Sequence, residues 1–225
     1  MLSGPDKSTL FPRVPRHGRP ATGAPSNGGR RSVIAGPMRR RGVHIPGELG
    51  VWVFIIGDMA VFGLFFVTFA VYRTSALQLY AQSQRAMNQT FGVLNTVILL
   101  TSSWLVALAV EKAKRGANRV AGKLLGVAIL SGAAFVSVKL LEYREKIRAG
   151  ITLNTNEFFS FYYMLTGIHL LHVAIGIGVL AYLFKVVRND NLIAADINVL
   201  EGGSAFWHLV DILWIVLFAM FYLMR

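Results

Sequence analysis

Phe206-Trp207-His208-Leu209-Val210-Asp211-Ile212-Leu213-Trp214 opens an apolar run that carries on to Met224. A helix needs about 20 such residues to cross a bilayer core. A charged side chain at that depth costs about 2.5–3.5 kcal/mol or more unless it finds a partner. The run therefore reads as a transmembrane helix whose His208 and Asp211 are paired, functional, or both. Four similar runs precede it, and the five are expected at about 49–72, 91–110, 122–141, 158–184 and 205–224. The expected fold class is all-α, a polytopic membrane helix bundle of five transmembrane helices.

Composition agrees. The chain has 225 residues, 54% of them hydrophobic and only 15% charged, against about 25% charged in an average soluble protein. Five spans use most of the length after residue 45, which leaves no separate soluble domain there. The chain has no cysteine, which excludes disulfides, thiolate metal sites, iron–sulfur clusters, thioether-linked haem and thiolate-bridged copper.

The net charge of +12 is concentrated at the start. Residues 1–43 hold nine Lys/Arg and one acid, Asp6, among many Pro, Gly and Ser, with no hydrophobic period. This reads as a disordered basic tail near anionic lipid that sets topology, and nucleic acid is not expected as a partner. No apolar run follows before Val51, so the tail does not read as a signal peptide. The membrane domain is expected to cover 44–225, opened by His44-Ile45-Pro46-Gly47-Glu48, where Pro suits a first helical turn and Glu48 the positive helix end.

Lys/Arg bias gives the orientation. With the N-terminus inside, inner segments hold sixteen Lys/Arg and outer ones seven, so N-inside/C-outside is expected. Without the tail the tally is seven each, so the tail and above all Arg39–Arg41 carry the assignment.

Depth suggests which polar residues meet. At 1.5 Å per residue, Asp58 lies about 15 Å and His172 about 18 Å from the inner end of their spans. Asp58–His172 is the preferred pair, with His169 as substitute. His208 and Asp211 are expected about 5–10 Å into the last span, bonded to one another. His169/His172 and His208/Asp211 are i,i+3 pairs, each presenting two ligand-capable groups on one face. With few carboxylates in the core, neither a di-metal site nor haem ligation is expected, and buried histidines are more often hydrogen-bonded structural groups. For Asp58, proton carriage and a neutral packing role both stay open. Trp207 and Trp214, seven residues apart on Asp211's face, read as helix packing or an interfacial belt. Phe62, Phe65, Phe66 and Phe69 read as lipid or helix contact.

Several motifs together resemble a known family. Phe161-Tyr162-Tyr163-Met164-Leu165-Thr166-Gly167-Ile168-His169-Leu170-Leu171-His172-Val173 and Phe206–Trp214 are similar to the last two helices of haem-copper oxidase subunit III. Glu201 ahead of the last helix, Leu94-Asn95-Thr96-Val97-Ile98-Leu99-Leu100-Thr101-Ser102-Ser103 and Glu142-Tyr143 are similar to further stretches of that family. Gly57-Asp58-Met59 matches its first-arm carboxylate, usually Glu. His44–Glu48, Gly57–Met59 and Leu200-Glu201-Gly202-Gly203 look most like the NorE-like branch associated with nitric oxide reductases, and the five-helix quinol oxidase subunit is next. Seven-helix members have two more helices at the N-terminus, one arm of a V-shaped lipid cleft; here residues 1–43 stand in their place.

The resemblance implies a non-catalytic accessory subunit with no cofactor of its own, while haem and copper sit in partner subunits. It implies packing on catalytic subunit I of a haem-copper oxidase or nitric oxide reductase, bound phospholipid, and support of proton uptake and turnover stability. The location implied is the bacterial cytoplasmic (inner) membrane. Asp58, His169, His172, His208 and Asp211 would form the polar cluster, with Glu48, Glu142, Glu201 and Trp207 as interface or helix-end candidates. A stand-alone proton channel or transporter is the alternative, disfavoured by the lack of interrupted spans and of a chain of intramembrane charges.

Overall fold

The computed structural model describes residues 49–189 and 192–224; Glu48, the basic tail and Arg225 lie outside the described residues. The helices are α1 (Leu49–Ser75), α2 (Leu77–Arg85), α3 (Gln89–Lys114), α4 (Asn118–Arg148), α5 (Glu157–Val187) and α6 (Ala194–Phe218), which runs into a π-turn, Ala219–Leu223. Five are long and apolar enough to cross a membrane: α1, α3, α4, α5, and α6 with its π-turn.

Helices α3, α4, α5 and α6 pack in a ring, each against the next and α6 back on α3. Helix α1 lies outside this ring, mainly against α6, and is the least enclosed span. Its attachments include an aromatic cluster and a polar pair, besides Arg73 Nη2 donating to the Met224 carbonyl at 3.0 Å and Phe54 packing on Phe206. Near one end, Phe69 packs against Tyr80, Phe158, Phe161 and Phe221 at ring-centroid distances of 5.2–6.3 Å. Near its middle, Asp58 reaches His172.

Three elements differ from the sequence expectation. The polar stretch 73–90 contains a short helix, α2, because Tyr80, Ser83 and Gln84 fall on one face and turn inward. Gln84 Nε2 donates to the Met220 carbonyl at 2.9 Å and Gln89 Nε2 to the Tyr222 carbonyl at 2.9 Å, supplying partners in the π-turn. Helix α4 runs past Leu141 to Arg148, since its buried face continues through Lys139, Glu142 and Lys146. Helix α6 begins at Ala194 rather than 205; Asp196 accepts from the Ile193 N–H at 3.0 Å, half of a capping box. His208 is thus about 21 Å from the start of its helix, which begins eleven residues ahead of the expected span.

Helix ends follow ordinary capping chemistry. Asn156 accepts from Phe159 N–H at 3.0 Å at the start of α5. Gly116 and Gly150, at φ of 75° and 77°, close α3 and α4 in the left-handed region open to glycine.

Trp207, fully buried, sits against Gly176 so closely that an added Cβ would stand 2.7 Å from its Cε3. Neither the indole nor the α5 backbone has room to give. Gly176→Ala is expected to destabilise the protein by about 1–3 kcal/mol, read as a lower thermal midpoint in detergent; an unchanged midpoint would show that the α5–α6 contact is looser than drawn.

Candidate functional site

Buried positions on α4 recur at three- and four-residue spacing: Leu125, Ala128, Gly132, Phe135, Lys139, Glu142, Lys146. The stripe is helical core, and its last three members are charged. Lys139 and Glu142, one turn apart, have side chains only 1% exposed. Lys139 Nζ donates to Glu142 Oε2 at 3.0 Å, Tyr162 Oη at 2.9 Å and Tyr222 Oη at 3.1 Å. Tyr222 Oη in turn donates to Glu142 Oε1 at 2.6 Å. The ammonium's three donors and both carboxylate oxygens are therefore engaged, as a buried ion pair requires. Aromatic rings close the surroundings, with the ammonium 4.6 Å from the Tyr162 centroid and 5.1 Å from that of Trp214.

The network extends along α5. Thr166 Oγ1 donates to the Tyr162 carbonyl at 2.5 Å, so Tyr143 must be the donor in its 2.6 Å bond to Thr166. Lys146 reaches the Ala86 carbonyl at 3.4 Å, tying α4 to the end of α2. One cluster thus joins α4, α5 and the π-turn. The sequence reading counted Lys139 and Lys146 as outer-segment charges and placed Glu142 at a helix end; all three face the core. The signal that would have found them is the i, i+3, i+7 continuation of the α4 stripe.

Asp58 and His172 meet across α1 and α5, with His172 Nε2 3.0 Å from Asp58 Oδ1 and side-chain exposures of 13% and 11%. His172 Nδ1 lies 2.8 Å from the Ile168 carbonyl, which can only accept, so Nδ1 carries a proton. Nε2 is then the nitrogen that faces the Asp58 carboxyl. Phe62 packs edge-on against the His172 ring at 5.5 Å.

The remaining candidates are dispersed. His169 is fully buried between Phe135 and Trp214, and neither ring nitrogen has a hydrogen-bond partner among the described residues. The expected His208–Asp211 bond is absent: His208 Nδ1 bonds Ser103 Oγ on α3 at 2.6 Å. The i,i+3 pair shares a face, but the facing hydroxyl of α3 is the nearer partner. Asp211, with Ser103 as polar neighbour, has neither oxygen in a hydrogen bond among the described residues. His208→Leu is therefore expected to cost about 0.6–1.7 kcal/mol, one interhelical hydrogen bond, rather than the larger penalty of a stranded ion-pair partner. Ser103→Ala should match it in thermal unfolding, and a much larger loss for His208→Leu alone would restore the pairing with Asp211.

Glu201 lies 2.5 Å from Lys114, joining the end of α3 to α6. Trp207 is packing core, and Trp214 Nε1 donates to Thr96 Oγ1 at 3.1 Å, another α3–α6 bond. On α2, outside the spans, burial first and the Glu157 charge second push the Tyr80 phenol up to about 12. Among the described residues no three His, Asp or Glu side chains converge as metal ligands.

Comparison with known proteins places this architecture. The family profile of cytochrome c oxidase subunit III matches residues 39–225. The chain is 32% identical over 177 residues to the cytochrome bo(3) ubiquinol oxidase subunit 3 of Pseudomonas aeruginosa, covering 78% of this chain and 83% of that one. It is 27% identical over 176 residues to the quinol oxidase subunit 3 of Bacillus subtilis, covering 78% and 86%. It is also 31% identical over 180 residues to the haem-copper oxidase subunit I+III of Aeropyrum pernix, covering 77% of this chain but only 22% of that longer one. A ring of four spans with a fifth outside it, bearing the quoted motifs on α1 and α3 to α6, belongs to the cytochrome c oxidase subunit III family.

Proposed function

We propose that this chain is the non-catalytic subunit III of a respiratory haem-copper oxidase-type complex. The observation that carries the reading is the family match, which runs through every described span. Lys139, Glu142, Tyr162 and Tyr222 of α4, α5 and the π-turn are bonded to one another, which suits a rigid supporting subunit. The partner is the catalytic subunit I, which holds the haem and copper. A relative whose name joins subunits I and III in one chain supports that neighbour. Motifs around Asp58 and Glu201 favour the NorE-like branch, and with it a nitric oxide reductase as the finer alternative partner.

Charge supports N-inside/C-outside in a bacterial cytoplasmic membrane. Lys139 and Lys146 leave the outer tally because they are buried in the bundle. Without the tail, inner segments then hold seven Lys/Arg and outer ones five: Arg73, Arg85, Arg144, Arg148 and Arg225.

Lipid has a place beside α1. An apolar groove of about 500 Å³ lies between the start of α1 and α5/α6, lined by Val51, Phe54, Ile175, Val179 and Phe206 among others. It suits an acyl chain. Asp58–His172 lies further along the same α1–α5 seam, where a carboxyl within hydrogen-bond reach of an imidazole supports proton handling for the partner.

Affinity purification of the tagged chain in mild detergent, with a visible spectrum and mass identification of partners, tests the reading. A co-purifying haem-copper catalytic subunit that reduces oxygen is the expected result. A nitric oxide reductase partner would select the finer branch. A haem-free chain alone, in a detergent that preserves such complexes, would overturn the subunit reading.

A further inference from the structure

A second groove, of about 360 Å³, lies between the first two turns of α4 and the last turn of α5. Its lining includes Asn118, Arg119, Lys123, Phe184 and Arg188. If all five spans cross, the start of α4 and the end of α5 lie on the side of the membrane where α1 begins.

Three cations converge on this groove, and among the described residues no carboxylate lines it. Arg119 and Lys123 are one turn apart on α4, exposed, and without an ion-pair partner among the described residues. Arg188 comes from α5, its guanidinium 5.6 Å from the Phe184 ring centroid. Positive charge in the first turns of a helix opposes the macrodipole, so Arg119 and Lys123 are poorly placed for helix stability alone. The first turn of α4 contains no acid, and its N-cap, Ala117, supplies no side-chain acceptor. Val120 N–H bonds the Ala117 carbonyl at 3.0 Å, which leaves the Asn118 and Arg119 N–H groups of that turn without a backbone acceptor among the described residues. Asn118 Nδ2 donates to the Asn189 carbonyl at 3.2 Å, holding the two helix ends together around the groove. The general excess of cations on this side explains scattered residues such as Lys112 and Lys185, but not three focused on one cavity.

We infer that this groove is a binding site for the phosphate of an anionic phospholipid headgroup. Arg119 and Lys123 grip the phosphate from α4, and Arg188 does so from α5. Phe184 and Val187 form an apolar floor facing the acyl region. The floor and the position at the ends of two spans favour a lipid over a free phosphate. The site is separate from the apolar groove beside α1 and depends on membrane insertion alone, so its failure leaves the subunit assignment untouched.

Native mass spectrometry of the full chain in a non-ionic detergent, titrated with phosphatidylglycerol and phosphatidylcholine, tests this. The wild type is expected to retain phosphatidylglycerol preferentially, and Arg119→Gln/Lys123→Gln to weaken that retention about tenfold or more. Lys112→Gln/Lys185→Gln removes the same charge from the same side and should leave retention near the wild-type level. Equal retention of both lipids by the wild type, or equal loss in both double variants, would overturn the site. Displacement of the lipid by millimolar inorganic phosphate would make it a free-phosphate site and overturn the lipid assignment. Arg119 and Lys123 are exposed and bonded to nothing among the described residues, so the variant should fold; an unchanged size-exclusion profile checks this.

Discussion

Lys139→Met is expected to destabilise the protein by about 3–5 kcal/mol, enough to abolish a monodisperse preparation in detergent. The substitution nearly conserves the stem but removes the ammonium, leaving Glu142 as a buried carboxylate held by Tyr222 alone. Glu142→Leu should be comparably damaging, because it leaves Lys139 charged among aromatic rings with only phenols as acceptors. The informative variant removes the whole network. Lys139→Met/Glu142→Leu/Tyr222→Phe discards both charges and the bridging hydroxyl, and a buried ion pair replaced by apolar groups of similar volume is often neutral. The triple variant is therefore expected to recover most of the stability lost by either single change, leaving Tyr162 as the one unpaired hydroxyl. Thermal unfolding of the four proteins compares the damage done by each single change with that of removing the whole network. If Lys139→Met alone melts with the wild type, the ammonium is solvated and the network is not closed. If the triple variant is as poor as the singles, the charges have a role that apolar packing cannot replace.

Asp58 separates tethering from proton chemistry, because two substitutions affect them differently. Asp58→Asn keeps a donor, the side-chain amide, facing His172 Nε2, so α1 should stay docked while the carboxyl is gone. Asp58→Ala removes both the tether and the proton, leaves Nε2 without a partner, and is expected to cost about 1–3 kcal/mol. Assembly should survive both changes, since the aromatic attachment around Phe69 is untouched. If the pair handles protons, sustained turnover of the complex should fall several-fold in both variants, while cross-linking between α1 and α5 weakens only in Asp58→Ala. Normal sustained turnover in Asp58→Asn with a deficit in Asp58→Ala would assign the pair to packing.

The two sites were not equally legible. Asp58 stands alone in its apolar span and His172 shares its span only with His169, so depth arithmetic brings Asp58 and His172 to one level. Lys139 falls within the expected span at 122–141 but was counted among the outer charges because it stands two residues from that span's end, and hydropathy does not show that its face of α4 turns into the bundle. Helices α4 and α6 also run beyond the apolar runs at 122–141 and 205–224, to Arg148 and from Ala194, because a helix continues wherever its polar residues find partners. His208 was given to Asp211 by sequence spacing, but only the packing of α3 on α6 puts Ser103 at its ring.

Five apolar runs were enough, by the energetics of water and hydrocarbon alone, to make this an all-helical membrane protein. The motifs on those runs were enough to place it in its family. Which side chains share a hydrogen bond was decided only by tertiary structure. Partners on different helices are separated by tens of residues, and a rotation of one helix by a single residue, about 100°, exchanges a core group for a lipid-facing one.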